Sequence, residues 1–110
     1  MRLPGGDDVV IDDLKLTAYA LSLTHPQGKH KARVFAAALG LTTSDAGVLK
    51  SALRDAARRG SAEALTADRF GARFQIRFLF QFGVKSAMIN SAWIVPAGGG
   101  RTRLVTVFVD

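Results

Sequence analysis

The segment from residue 25 to residue 33 reads His-Pro-Gln-Gly-Lys-His-Lys-Ala-Arg and concentrates groups that can carry charge. It holds two imidazoles, His25 and His30, and three cations, Lys29, Lys31 and Arg33. Histidine can act as an acid or a base near neutral pH, and Lys and Arg stabilise developing negative charge. Metal-independent cleavage of RNA needs a base for the 2′-hydroxyl proton, an acid for the leaving oxygen, and cations for the charge on phosphorus. The alternative is a solvated basic turn in which His25 is a turn residue.

A second candidate region is the C-terminal stretch 101–108, Arg-Thr-Arg-Leu-Val-Thr-Val-Phe. Strand alternation predicts one face with Arg103, Val105 and Val107, and another with Leu104, Thr106 and Phe108. If helices cover the second face, Thr106 is a hydroxyl among core residues and needs a hydrogen-bond partner. A threonine with no role beyond the strand is the alternative.

Three further residues could contact a nucleic acid. Arg101 and Arg103 flank the last strand and could bind phosphates, and Trp93 could stack on a base. The alternative for Trp93 is a core or edge anchor.

The elements that must position these groups begin with a helix over residues 14–22. Asp12 or Asp13 is a suitable N-cap, and Leu14, Ala18 and Leu21 recur at the spacing of one helical face. A second helix is predicted over residues 29–39, with Gly40 as its C-terminal stop.

A third helix is predicted over residues 44–59, with Ser44 as its cap. Its inward face should comprise five apolar residues, Val48, Leu49, Ala52, Leu53 and Ala56.

After Gly60 the apolar period changes from helical to alternating. In residues 73–82 the apolar set on one face is Phe74, Ile76, Phe78, Phe80 and Phe82, which predicts a half-buried strand. Further strands are predicted at 87–95 and 103–109, and a weaker one at 63–68. We therefore predict one α+β domain over residues 1–110, with N-terminal helices packed on a C-terminal four-stranded antiparallel meander sheet.

Composition narrows the classes of function. The net charge is +6 and the pI is about 10.5, which favours an anionic partner, with RNA the leading candidate. There is no cysteine and there are only two histidines, so thiolate sites and an ordinary structural zinc site are excluded, and we expect no metal and no cofactor.

No apolar run is long enough to cross a membrane, and the acidic N-terminus does not resemble a signal peptide. We expect no membrane partner and a place in the cytoplasm, or delivery into that of a target cell.

Four stretches of the chain also resemble a known family. They are residues 14–21, residues 25–40 with the pattern HPxGKxKAxxF, residues 86–95, and the terminal RLVT that begins at Arg103. The family consists of small, largely uncharacterised bacterial domains, found alone and as C-terminal tails of polymorphic toxins. It is similar to the Barnase–EndoU–colicin–RelE ribonuclease superfamily. The start methionine and the length favour a standalone protein here.

This resemblance implies metal-independent RNA cleavage, with tRNA as one candidate target, in a cleft between helices and sheet. It implies site roles for His25, for Lys31 or Arg33, and for Thr106. Phe108 stands where a tyrosine is expected, and its ring has no hydroxyl to donate, which leaves the acid role to His25 or His30. We therefore carry three hypotheses. The first is a ribonuclease-like toxin domain with an acidic immunity or antitoxin partner, and the second is a non-catalytic basic module that binds RNA or an acidic protein. The third is a structural or assembly domain whose basic charge is incidental.

Overall fold

The structure, a computed structural model, describes residues 1–110. The helical half comprises α1 (Asp13–Lys15), a π-helical segment (Leu16–Ala20), α2 (Lys29–Leu39), a 3-10 turn (Thr43–Asp45) and α3 (Ala46–Arg59). The strands that follow are β1 (Ala62–Ala64), β2 (Gly71–Phe82), β3 (Lys85–Pro96) and β4 (Arg103–Val109). No helix combines the length and the apolar character needed to cross a membrane.

The four strands form one antiparallel sheet in the order β1-β2-β3-β4. The predicted meander is therefore confirmed. β2 and β3 are joined by a two-residue turn in which Gly83 has a φ of 62°, a conformation that glycine adopts without steric penalty. The weak strand predicted at 63–68 is shorter and earlier than expected, because only Ala62–Ala64 pair with β2.

The alternating phenylalanines of β2 face the core as predicted. Phe74, Ile76 and Phe80 are buried, and Phe78 and Phe82 pack against the same cluster. Helix-derived side chains cover this face, namely Phe35 and Leu39 of α2 with Leu49 and Leu53 of α3.

Two details of α3 differ from the sequence prediction. Val48 was expected to face inward, but it is 46% exposed and Ala57 is buried instead. The cap is not Ser44, because Thr42 and Asp45 form a reciprocal capping box at the start of the 3-10 turn. Such a box satisfies two backbone N–H groups at once, so it displaces a single-hydroxyl cap.

Of the predicted apolar stripe of the first helix, Leu21 is buried as expected, but the prediction is wrong for Leu14 and Ala18. Leu14 is 66% exposed and Ala18 is exposed, whereas Leu16 and Ala20 are fully buried. The cause is the π-helical segment, in which Leu21 N–H bonds the Leu16 carbonyl five residues back, so that side-chain directions shift from an ordinary helix. As a result the Leu14 and Ala18 side chains face away from the core.

The chain before α1 lies against the start of β4. Val10 N–H donates to the Thr102 carbonyl, and Leu104 N–H donates to the Val10 carbonyl. Asp12 then caps α1 by accepting a hydrogen bond from Leu14 N–H at 3.0 Å, as predicted. These contacts hold α1 and the π-helical segment beside the last strand.

Candidate functional site

Lys31 lies at the centre of the site. Its Nζ donates to Thr106 Oγ1 at 2.9 Å and lies 5.3 Å and 5.4 Å from the ring centroids of Tyr19 and Phe108. Both distances fall within the range of cation–π attraction. No carboxylate pairs with Lys31. The ammonium group is therefore held in place by neutral partners, and its charge remains available to an anion.

Thr106 meets Lys31 because β4 contains a bulge. Trp93 pairs with Leu104 while the preceding Ala92 pairs with Thr106, so Val105 is an extra residue in the strand. A bulge shifts the alternation of side chains beyond it.

The burial pattern follows this shift. Leu104 and Val107 are buried, while Thr106 and Phe108 are half-buried. The prediction that Leu104, Thr106 and Phe108 share one face was therefore wrong, although the hydroxyl of Thr106 does have the partner it needs.

The ring of His25 caps the turn that leads into α2, where Gly28 is the N-cap residue. Its Nδ1 accepts hydrogen bonds from the backbone N–H groups of Gln27 at 3.1 Å and Gly28 at 2.9 Å. Because Nδ1 is used as an acceptor, the neutral ring carries its proton on Nε2. The edge of the ring meets Tyr19, with 4.7 Å between centroids. His25 thus carries a donor N–H on Nε2, whereas the sequence left its base and acid roles open.

These side chains line one cleft of about 530 Å³ between the first helical segments and β4. The lining combines polar groups with an apolar wall. It comprises Asp12, Leu14, Lys15, Ala18, Tyr19, Ala20, His25, Lys31, Leu104, Val105, Thr106 and Val107. The volume falls in the ordinary range for small-ligand pockets.

The lysines and the arginine in and beside the cleft form no ion pair with a carboxylate. Six ion pairs occur elsewhere, Lys50–Asp13, Arg58–Asp7, Arg59–Asp55, Arg73–Asp68, Arg77–Asp110 and Arg101–Asp8. They include none of Lys15, Lys29, Lys31 and Arg33. The cations in and beside the cleft therefore account for much of the charge that attracts a polyanion.

The remaining predicted residues of α2 lie outside the cleft. Lys29 is half-buried, and His30 and Arg33 are exposed. Arg33 is not among the residues that line the cleft. His30 lines a separate, smaller hollow that also includes Lys31.

Two of the three residues predicted near the sheet have structural partners. Arg101 pairs with Asp8 and donates to the Val9 carbonyl at 3.2 Å, which ties β4 to the N-terminal segment. Trp93 is fully buried and donates from Nε1 to Ser91 Oγ at 2.9 Å. It is a core anchor. The prediction that a base stacks on it is wrong, because neither face of the ring is accessible. Arg103 is exposed and has no carboxylate partner.

Sequence reasoning missed three residues of the cleft. Tyr19, the only tyrosine of the chain, lies between His25 and Lys31. Lys15 donates to the Val105 carbonyl at 3.3 Å, and Asp12 is the one carboxylate in the lining. Tyr19 and Asp12 lie close to the HPxG stretch in the sequence, and this proximity was the signal that could have identified them. The π-helical turn that orients Tyr19 toward the cleft could not be predicted.

The fold and the site together define a small α+β domain with an unpaired cationic cleft beside its last strand. Residues 2–110 match the model of the family described as "Domain of unknown function (DUF6883)", and the chain belongs to this family. No curated protein matches the sequence significantly.

A solved structure shares the fold. It is titled "Contact-dependent growth inhibition toxin - immunity protein complex from Klebsiella pneumoniae 342", and the matching chain has a TM-score of 0.68 at 17% identity. The match covers 92% of this chain and 99% of that chain. At this identity the likeness shows a common fold.

Proposed function

We propose that this domain cleaves RNA at the cleft between the first helical segments and β4, without a metal ion. The observation that carries the proposal is the contact between Lys31 and Thr106, which are 75 residues apart in the chain, in a cleft that also contains His25. An unneutralised ammonium group beside an imidazole N–H donor suits a phosphodiester better than a neutral ligand.

The proposed step is an internal transesterification. The ribose 2′-oxygen attacks phosphorus, the bond from phosphorus to the 5′-oxygen breaks, and a 2′,3′-cyclic phosphate forms. The 2′-hydroxyl loses its proton to Asp12, whose Oδ1 caps α1 and whose other oxygen makes no hydrogen bond within the protein. The 5′-oxygen takes a proton from the Lys31 ammonium group.

The other residues of the cleft position the reacting groups. His25 donates from Nε2 to a phosphoryl oxygen, and Thr106 holds Lys31 in place. Fixed donors of this kind stabilise the charge that develops on phosphorus. Lys29 and Arg33, outside the cleft, attract the flanking phosphates of the strand.

Two comparisons support a toxin-like role. The structure that shares the fold is titled as a complex of a growth inhibition toxin with its immunity protein. The sequence also resembles small domains that occur as C-terminal tails of polymorphic toxins and are similar to a ribonuclease superfamily. On this proposal an acidic immunity protein would cover the cleft.

The direct test is incubation of the purified protein with total tRNA in EDTA. We expect wild type to give products that end in a 2′,3′-cyclic phosphate. Lys31→Met should lower kcat by about 100- to 1,000-fold, and Lys85→Met, which removes an exposed lysine far from the cleft, should have no effect. Asp12→Asn should also be inactive but stable, because asparagine caps a helix as well as aspartate does. Intact RNA with wild type, or equal cleavage by wild type and Lys31→Met, would overturn the proposal.

A second candidate is a non-catalytic module that binds RNA or an acidic protein. It is favoured by Phe108, which lacks the hydroxyl of the tyrosine expected at its position, and by the use of His25 Nδ1 for capping. It predicts affinity for tRNA that falls steeply with salt and yields no product. Capture of one protein partner with no affinity for tRNA would instead support an immunity-like role.

A further inference from the structure

A second hollow shares Lys31 with the cleft. It has a volume of about 310 Å³ and is lined by His30, Lys31, Val34, Phe108 and Val109. Its walls are mainly the side chains of Val34, Phe108 and Val109, with an imidazole at one side and the ammonium group at the boundary with the cleft. The lysine therefore lies between a polar cleft and an apolar hollow.

The fold places these walls opposite each other. His30 and Val34 are four residues apart on α2, so they lie on the same helical face. Phe108 and Val109 are at the end of β4, where they pair with Asn90 and Ile89 of β3. Val34 is 46% exposed although it is a large apolar residue.

The Phe108 ring is half-buried, and its centroid is 5.4 Å from Lys31 Nζ. Because a nucleobase is joined to its phosphate through a single sugar, a phosphate bound by the ammonium group brings an adjoining base close to the ring.

We infer that this hollow is a nucleobase subsite, and that it selects RNA with an unpaired nucleotide next to the phosphate bound by Lys31. The inference rests on the proposed function. Phe108 and the imidazole of His30 supply surfaces on which a base stacks, as aromatic side chains do in single-strand binding sites. A base in a duplex cannot enter the hollow because its faces are covered by its neighbours, so the substrate class is loops and single strands. Stacking on a base needs only the aromatic ring of Phe108 and does not need the hydroxyl of a tyrosine.

The test uses a single-stranded oligoribonucleotide whose cleavage site has been mapped, with the wild-type protein, Phe108→Leu and Phe108→Trp. Stacking on one aromatic ring is lost in Phe108→Leu, so we expect kcat/KM and affinity to fall by about tenfold. Phe108→Trp should restore both. The control is Phe70→Leu, because Phe70 is another ring beside a cation, 4.9 Å from Arg69, and does not line the hollow.

A second arm removes the base instead of the ring. An abasic nucleotide on one side of the scissile phosphate should lower kcat/KM of wild type about tenfold, and should have little effect on Phe108→Leu. If Phe108→Leu behaves as wild type, or if the abasic substitution affects both proteins equally, the subsite is wrong even though cleavage stands.

If wild type binds RNA without cleaving it, the catalytic proposal fails and the same comparison of affinities still decides the subsite. If wild type neither binds nor cleaves RNA, both proposals fail.

Discussion

The ring of His25 has two separable tasks, and three substitutions distinguish them. Nδ1 accepts two backbone hydrogen bonds at the start of α2, and Nε2 is the donor proposed to contact phosphate. Asparagine has an acceptor oxygen at the same bond separation from Cα as Nδ1, so His25→Asn keeps the cap and removes the distal N–H. Glutamine has an N–H group near the position of Nε2, so His25→Gln keeps a donor and removes the cap. His25→Ala removes both.

The expected change in stability follows from the loss of the cap. Removing a side-chain cap from a helix start costs about 0.5–2 kcal/mol. Both His25→Ala and His25→Asn lose the ring contact with Tyr19, so the difference between them isolates the capping bonds. We expect His25→Asn to be about 1 kcal/mol more stable than His25→Ala, which for a domain of this size raises Tm by about 4–8 °C.

The activity of these variants should follow a different order. His25→Asn and His25→Ala should both lose about 100- to 1,000-fold in kcat on tRNA, because each lacks the distal donor. His25→Gln should retain more activity than either. The assay is thermal unfolding by circular dichroism beside initial rates of tRNA cleavage. Equal Tm values for His25→Asn and His25→Ala would refute the capping role, and wild-type rates for His25→Asn would refute the role of Nε2.

Three further substitutions test stability alone. Gly28→Ala should destabilise the fold by about 1–3 kcal/mol, since an added Cβ would overlap the backbone oxygen of Tyr19. Gly47→Ala, in open space within α3, should stabilise it by about 0.5–1 kcal/mol. Equal urea midpoints for the two variants would contradict this. The pKa of Asp68 is held below its ordinary value of 3.8, mainly by the hydrogen bond from Arg73. Asp68 therefore stabilises the fold above that pH, and the contribution is lost as pH falls through the lowered pKa. Asp68→Asn should lower Tm at pH 7, and this decrease in Tm should become smaller below pH 3.8. A decrease in Tm that is the same at both pH values would contradict a stabilising ion pair between Asp68 and Arg73.

The sequence predicted the elements whose apolar period is regular. The alternation from Phe74 to Phe82 and the spacing of Phe35 and Leu39 determine which faces are buried, because burial of apolar area dominates the folding energy. Both were confirmed. The same reasoning failed at Leu14, where the π-helical turn changes the phase of the stripe.

Prediction of the candidate site failed in part for the same physical reason. Lys31 and Thr106 do meet, as the resemblance implied, but through a bulge at Val105 that ordinary alternation cannot reveal. Tyr19 was missed because its direction depends on the π-helical segment. A one-residue irregularity, such as a strand bulge or a π-helical turn, changes the local energy only slightly. Tertiary packing therefore determines where it forms, and local sequence patterns do not predict it.

The extra residue in β4 means that the position of Thr106 depends on Val105 remaining unpaired in the bulge. Replacing Val105 by another β-branched residue leaves the spacing between Leu104 and Thr106 unchanged. If Val105 instead paired with Ala92, the bulge would disappear and Thr106 would move to the position opposite Ser91, on the side now occupied by Val107. Pairing of Val105 with Ala92 would therefore take the hydroxyl of Thr106 away from Lys31, whereas deletion of Val105 would leave Thr106 opposite Ala92. Any comparison of this strand with a relative must place its gaps correctly before it assigns a counterpart to Thr106.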